Sequence, residues 1–128
     1  MASAAALATI ETIVEEGLVE NSRTVGDFLL RGLRGLQEKY EFLGHVRGLG
    51  LMIGVELVKD RKTKEPLDRD VTRQLFLELL KRGMISMSYK ASFRINPPLI
   101  FTKKEAETAL QILDDGFSFV ANHISYKG

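Results

Sequence analysis

The residue best framed for binding chemistry is Arg94, in the short run Phe93-Arg94-Ile95-Asn96 that closes on Pro97-Pro98. A guanidinium takes a carboxylate through two parallel hydrogen bonds, so an arginine on a stiff frame suits recognition of a small acid. Composition and spacing alone favour the plainer alternative, an arginine on the open face of a sheet. Glu56 is the second charged residue in an apolar setting, inside Leu51–Val58. Facing inward it requires a partner, and Arg47 is available; facing solvent it requires none. The spacing leaves both open.

Other chemistries find little support. His45 and His123 lie far apart with no histidine three or four residues away, so neither reads as a metal ligand. There is no cysteine, which removes disulfides, thiolate metal sites and a thiol nucleophile. The serines stand in unremarkable contexts, and none is marked out as a nucleophile beside its base. Gly48 and Gly50 precede a strand and Gly54 lies within it, whereas phosphate-cradling loops follow a strand and open a helix. A structural turn is the better reading of these glycines.

The elements that must position these residues follow from periodicity. Val46 to Leu57 is where the chain passes from helical to strand writing. Leu51–Leu57 reads as a central strand buried on both faces, entered through Phe42–Val46 as a short extended segment and the glycine turn. Ahead of it, Ala4–Glu16 has helical spacing of Ala6, Ile10, Ile13 and Val14, with Gly17 as a break. A second helix runs from Asn21 or Ser22 to Lys39, its stripe Val25, Phe28, Leu29, Leu33, Leu36 and Tyr40. Gly26, Gly32 and Gly35 within it each cost about 1 kcal/mol relative to alanine, which close packing or chance explains about equally well.

Beyond the strand, Lys59–Asp68 reads as a charged loop and Val71–Lys81 as a helix, capped by Asp68 or Asp70 and closed at Gly83. Met84–Met87 and Phe93–Asn96 read as two further strands of the same sheet. Thr102 and Glu105 form a capping box that opens a last helix over Lys103–Val120. His123–Gly128 reads as a frayed tail. The expected fold is α+β: a two-layer small domain with a mostly antiparallel sheet of three to four strands, helices packed on it, and a long N-terminal helix in front.

At 128 residues the chain makes one domain with one modest core. Eighteen Lys plus Arg against seventeen Asp plus Glu leave a net charge of +1, which offers no general attraction to nucleic acid or an anionic membrane. No span is apolar enough to cross a bilayer, and the N-terminus lacks the features of a secretory signal, so the cytoplasm is the expected location.

Three motifs in register carry a resemblance over almost the whole chain: Ala4-Ala5-Ala6-Leu7-Ala8 running to Glu15-Glu16-Gly17-Leu18, then Val46-Arg47-Gly48-Leu49-Gly50-Leu51-Met52, then Arg94-Ile95-Asn96-Pro97-Pro98-Leu99. The sequence resembles the C-terminal part of class III aminotransferases, pyridoxal-phosphate enzymes of fold type I that include the ornithine, acetylornithine and 4-aminobutyrate transaminases.

The resemblance implies a small C-terminal domain at 18–128, preceded over 1–17 by the end of an interdomain helix. It also implies a large cofactor-binding domain as partner and a homo-oligomeric parent. Arg94 matches the family arginine that binds a substrate carboxylate in several members. The family's Schiff-base lysine has no counterpart, so the chain alone is expected to hold no pyridoxal phosphate, no catalytic residue and no metal, and to be inactive. The alternative is a freestanding small α+β binding or dimerisation module. An excised domain should leave Leu7, Ile10 and Val14 uncovered on its first helix; a native module should cover them.

Overall fold

Two glycines with left-handed backbone set the principal turns of the chain. A computed structural model describes residues 1–127. Gly17, at φ 61°, separates helix α1 (Ala2–Glu15) from α2 (Leu18–Lys39). Gly50, at φ 55°, turns strand β1 (Leu43–Leu49) back into β2 (Met52–Asp60). A side chain at either position would be strained whatever the space around it. The rest follows as β3 (Glu65–Pro66), α3 (Arg69–Lys81), β4 (Ser92–Ile95) and α4 (Lys103–His123).

β2 is the centre of the sheet. It pairs antiparallel with β1 along its length, with β4 over Ile53–Glu56, and with β3 at its far end. Helices α2, α3 and α4 cover one face. Their inward stripes, including Leu29, Leu33, Leu75, Leu79, Leu113 and Phe117, are buried against Ile53, Val55 and Phe93 of the sheet. Each such fully buried side chain contributes about 1.5–3 kcal/mol. The capping box at α4 is formed: Glu105 N donates to Thr102 Oγ1 at 3.2 Å and Thr102 N to Glu105 Oε2 at 2.8 Å. The α+β architecture read from the sequence is the one present.

Several details differ from the expectation. α2 starts at Leu18, because Gly17 lets the chain re-enter a helix at once. Asn21 does not cap it; its amide donates to Leu99 O at 2.7 Å and Phe101 O at 3.0 Å and ties α2 to the segment after Pro97-Pro98. Asp68 occupies the N-cap of α3 but caps nothing, since its carboxylate pairs with Lys59 Nζ at 2.9 Å. The segment at Phe42–Val46 is part of a full strand that runs on to Leu49.

Met84–Met87 is not a strand. Met84 N donates to Leu79 O at 2.9 Å, Ser86 Oγ bonds Ser88 Oγ at 2.8 Å, and Thr72 Oγ1 holds Tyr89 O at 3.0 Å. Met84 and Ser86 thus bond to their near neighbours in sequence, Ile85 is left exposed, and no ladder forms. Over Met52–Leu57, β2 is fully buried on one face: Ile53, Val55 and Leu57 are covered while Met52 is exposed and Gly54 and Glu56 are half-buried, and the other face is buried only at Val58. The described part of the tail packs back onto the domain. Tyr126 packs edge-on against Phe42 at 5.2 Å between centroids, and Lys127 Nζ meets Glu41 Oε2 at 2.5 Å. Gly128 lies outside the described residues.

Candidate functional site

The uncovered face of the sheet carries the charged residues singled out from the sequence. Side chains alternate along each strand, so with Val46, Ile53, Val55, Phe93 and Ile95 in the core, the residues between them face outward. Register places Arg47 opposite Gly54 and Gly54 opposite Arg94, one row across three strands. The next row is His45, Glu56 and Ser92.

Arg94 therefore sits where its motif suggests, on a strand whose neighbours Phe93 and Ile95 are anchored in the core. Its side chain makes no ion pair among the described residues. Pro97-Pro98 stiffens the exit from the strand. A guanidinium held this way on an open face can receive a carboxylate bidentately. Beside it lies a groove of about 760 Å³ whose lining includes Arg94, Met84, Met87, Ile95, Pro97 and Phe101. The segment that failed to become a strand thus forms one wall of this groove.

Glu56 combines the two alternatives the sequence left open. It faces outward and is also paired, with Arg47 Nη1 at 2.5 Å from Oε1. Both side chains stay partly exposed, a geometry that contributes little to stability but fixes where the guanidinium stands. His45 is exposed next to Glu56, and His123 stacks on Phe119 at the end of α4. The structure does not bring the two histidines together. Among the described residues no cluster of three or more His, Cys, Asp or Glu could hold a metal, and no helix is long and apolar enough to cross a membrane.

Elsewhere the charged pairs are scaffolding. Asp114, on α4, takes Lys39 Nζ at 2.7 Å and the Tyr40 hydroxyl at 2.5 Å. Partial burial opposes ionisation of Asp114, but these two donors hold its carboxyl below the usual range overall. A hydrogen bond from Arg82 does the same for Glu78 against a burial penalty. Both pairs lock helix ends and stand away from the open face.

The lysines do not fit a pyridoxal phosphate site. All but Lys59 are exposed, and Lys59 is held by Glu65 at 3.0 Å and Asp68 at 2.9 Å. A lysine that carries such a cofactor must be sheltered and free of competing carboxylates. No step through the cofactor can be built from these residues.

Known proteins share both sequence and fold. Residues 1–117 match the family model described as Aminotransferase class-III. An alanine/serine racemase of Pyrococcus horikoshii is 43% identical over 115 residues, covering 88% of this chain and 24% of the racemase. A taurine–pyruvate aminotransferase of Bilophila wadsworthia is 40% identical over 124 residues, covering 91% of this chain and 27% of that protein. Among solved structures, an amine transaminase from an uncultivated Pseudomonas species, in its PLP-bound form, superposes with a TM-score of 0.84 at 35% identity over 90% of this chain and 26% of its own. The chain thus spans about a quarter of the length of the relatives it matches.

Proposed function

Since the chain belongs to the class III aminotransferases, we propose that it is the small C-terminal domain of such an enzyme, with Arg94 receiving the carboxylate of the substrate. On this reading the whole protein moves an amino group from an amino acid or ω-amine to a 2-oxo acid. Pyridoxal phosphate supplies the electron sink for that chemistry, from a larger domain that accounts for the other three quarters of the relatives' length. The relatives' names span racemisation as well as amino transfer; the alanine, serine and pyruvate they name carry a carboxylate, whereas taurine carries a sulfonate.

Residues 1–17 are, in this proposal, the end of the helix that links the two domains, and 18–128 the small domain itself. The break at Gly17 supports that division. So does α1, which buries none of its side chains: Leu7, Ile10 and Val14 are 58%, 60% and 73% exposed. An apolar stripe of this kind needs a partner, supplied here by the larger domain or the second subunit of a homo-oligomer. The freestanding-module alternative would have covered it.

The observation that carries the proposal is Arg94 itself, anchored by core neighbours on a sheet face where no carboxylate of the described residues pairs with it. Arg94→Ala in the full-length holoenzyme tests it. Losing a bidentate charged contact costs about 1.5–3 kcal/mol, so kcat/KM for carboxylate-bearing substrates should fall roughly tenfold to hundredfold. Amines without a carboxylate should be used as before. An equal loss on both substrate classes would remove Arg94 from the role.

A further inference from the structure

The strand that carries Arg94 ends one residue later, at Ile95. Beyond it Pro97 and Pro98 have no N–H to donate, and Asn96, Pro98, Leu99 and Ile100 are exposed, so neither a ladder nor deep burial fixes the run. A turn closes on it, from Phe101 N to Pro98 O at 2.9 Å. A second tie comes from another element: the Asn21 amide on α2 donates to Leu99 O at 2.7 Å and to Phe101 O at 3.0 Å. Asn21 also reaches the other way, its backbone N–H bonding Gly17 O at 3.0 Å in the left-handed break between α1 and α2. One residue thus joins the helix break to the exit from the Arg94 strand. Its neighbour Ser22 makes a similar bond to a different target, accepting from Leu51 N at 3.2 Å in the β1–β2 turn.

We propose that Asn21 is a positioning residue for Arg94: by pinning Leu99 and Phe101 to the first turn of α2, it fixes where the guanidinium meets a substrate carboxylate. The proposal rests on Arg94 receiving that carboxylate. The head of a long side chain is placed by the backbone under it and by the walls beside it. Pro97 and Phe101 belong to the groove wall next to Arg94, and Asn21 holds the segment between them. A carboxylate taken through two parallel bonds tolerates little error in the guanidinium, and a misplacement of about 1 Å can cost about a hundredfold in rate. An amide suits the task, since one nitrogen offers two donors to two carbonyls, whereas a carboxylate would set oxygen against oxygen. Without it the Leu99 carbonyl turns to water at little cost to the fold, while the wall beside Arg94 loosens.

The test measures binding of propionate, an unreactive monocarboxylate, to the full-length holoenzyme by titration calorimetry. It has no amine or oxo group, so turnover plays no part. Asn21→Ala should weaken propionate roughly tenfold at a melting temperature close to that of the parent. Ser22→Ala removes a bond from the same helical turn but leaves residues 99–101 alone, so its propionate affinity should stay within about twofold of the parent's. In an Arg94→Ala background Asn21→Ala should have no further effect on propionate, because residues that act through one contact are not additive. Asn21→Gln keeps the amide one methylene further out and should recover part of the loss, which provides a reading even if Asn21→Ala folds poorly.

Equal weakening by Asn21→Ala and Ser22→Ala, or a full additional loss from Asn21→Ala in the Arg94→Ala background, would overturn the proposal. Arg94→Ala alone separates the two levels. If it leaves propionate binding intact, the role of Arg94 falls and that of Asn21 falls with it. If it weakens propionate while Asn21→Ala, at an unchanged melting temperature, does not, only the positioning role falls.

Discussion

Gly26 and Gly35 stand nine residues apart on α2, and alanine at the two should have opposite effects. At Gly26 the helix lies directly on the β1–β2 turn: an added Cβ would stand 2.6 Å from Gly50 Cα and closer still to the carbonyl carbon and oxygen of Gly50. The obstacle is backbone, and it is held in place. Gly50 has left-handed φ, Leu51 is buried, and Leu51 N donates to Ser22 Oγ at 3.2 Å. Overpacking of this kind costs about 1–3 kcal/mol, and an obstacle unable to rotate away puts the cost near 3. Alanine regains about 1 kcal/mol of helix propensity, so the net loss is about 2 kcal/mol.

At Gly35 nothing lies within 4 Å of the added carbon, and only the gain of about 1 kcal/mol remains. Urea unfolding of the chain followed by far-ultraviolet circular dichroism reads both. With a slope of about 1.5 kcal/mol/M, Gly26→Ala should lower the midpoint by roughly 1.3 M and Gly35→Ala raise it by roughly 0.7 M. Gly32→Ala belongs between them, since the atoms in its way are the flexible methyl ends of Leu110. A Gly26→Ala midpoint at or above that of the parent sequence would refute the close approach of α2 to the turn.

Two further outcomes follow from the caps and ion pairs. Thr102→Ala removes the N-terminal bond of α4 and should cost about 1 kcal/mol, seen as a melting temperature lower by about 4 °C. Glu78 is held below its ordinary pKa by the hydrogen bond from Arg82, with burial opposing and Lys81 assisting. Its stabilising contribution is therefore complete above the ordinary glutamate pKa and is lost as pH falls through the lowered folded-state value. Glu78→Gln should reduce the urea midpoint near neutrality and flatten its decline on acidification; an unchanged decline would show that Glu78 does not report the pair.

Helix periodicity and capping chemistry were legible in the sequence because they are local. The stripe on α2, the Thr102–Glu105 box and the break at Gly17 each depend on residues within one or two turns of one another. Met84–Met87 was misread for the complementary reason. Its short apolar run suits a strand, but a strand needs a neighbour, and Leu79, Ser88 and Lys90 bond to its polar groups instead. The tail was misread likewise: nothing in Ile124–Lys127 announces that Phe42 and Glu41, more than eighty residues earlier, lie beneath it.

The site divides along the same line. Arg94 is visible because its motif is contiguous, and the alternation of Phe93 and Ile95 already turns it away from the core. The Arg47–Glu56 pair could only be left open, because it depends on register. The β1–β2 pairing shifts between Leu43 and His45, and only beyond that shift does Arg47 stand opposite Gly54, beside Glu56. A slip of one residue would turn Arg47 toward the core face now occupied by Val46 and leave Glu56 alone. What fixes the register is apolar: Val46 is buried opposite Val55, and Gly48, whose added Cβ would stand 2.9 Å from an Ile53 side-chain carbon, admits no side chain opposite Ile53. The charge arrangement beside Arg94 is thus a consequence of how valine, isoleucine and glycine pack on the other side of the same strands.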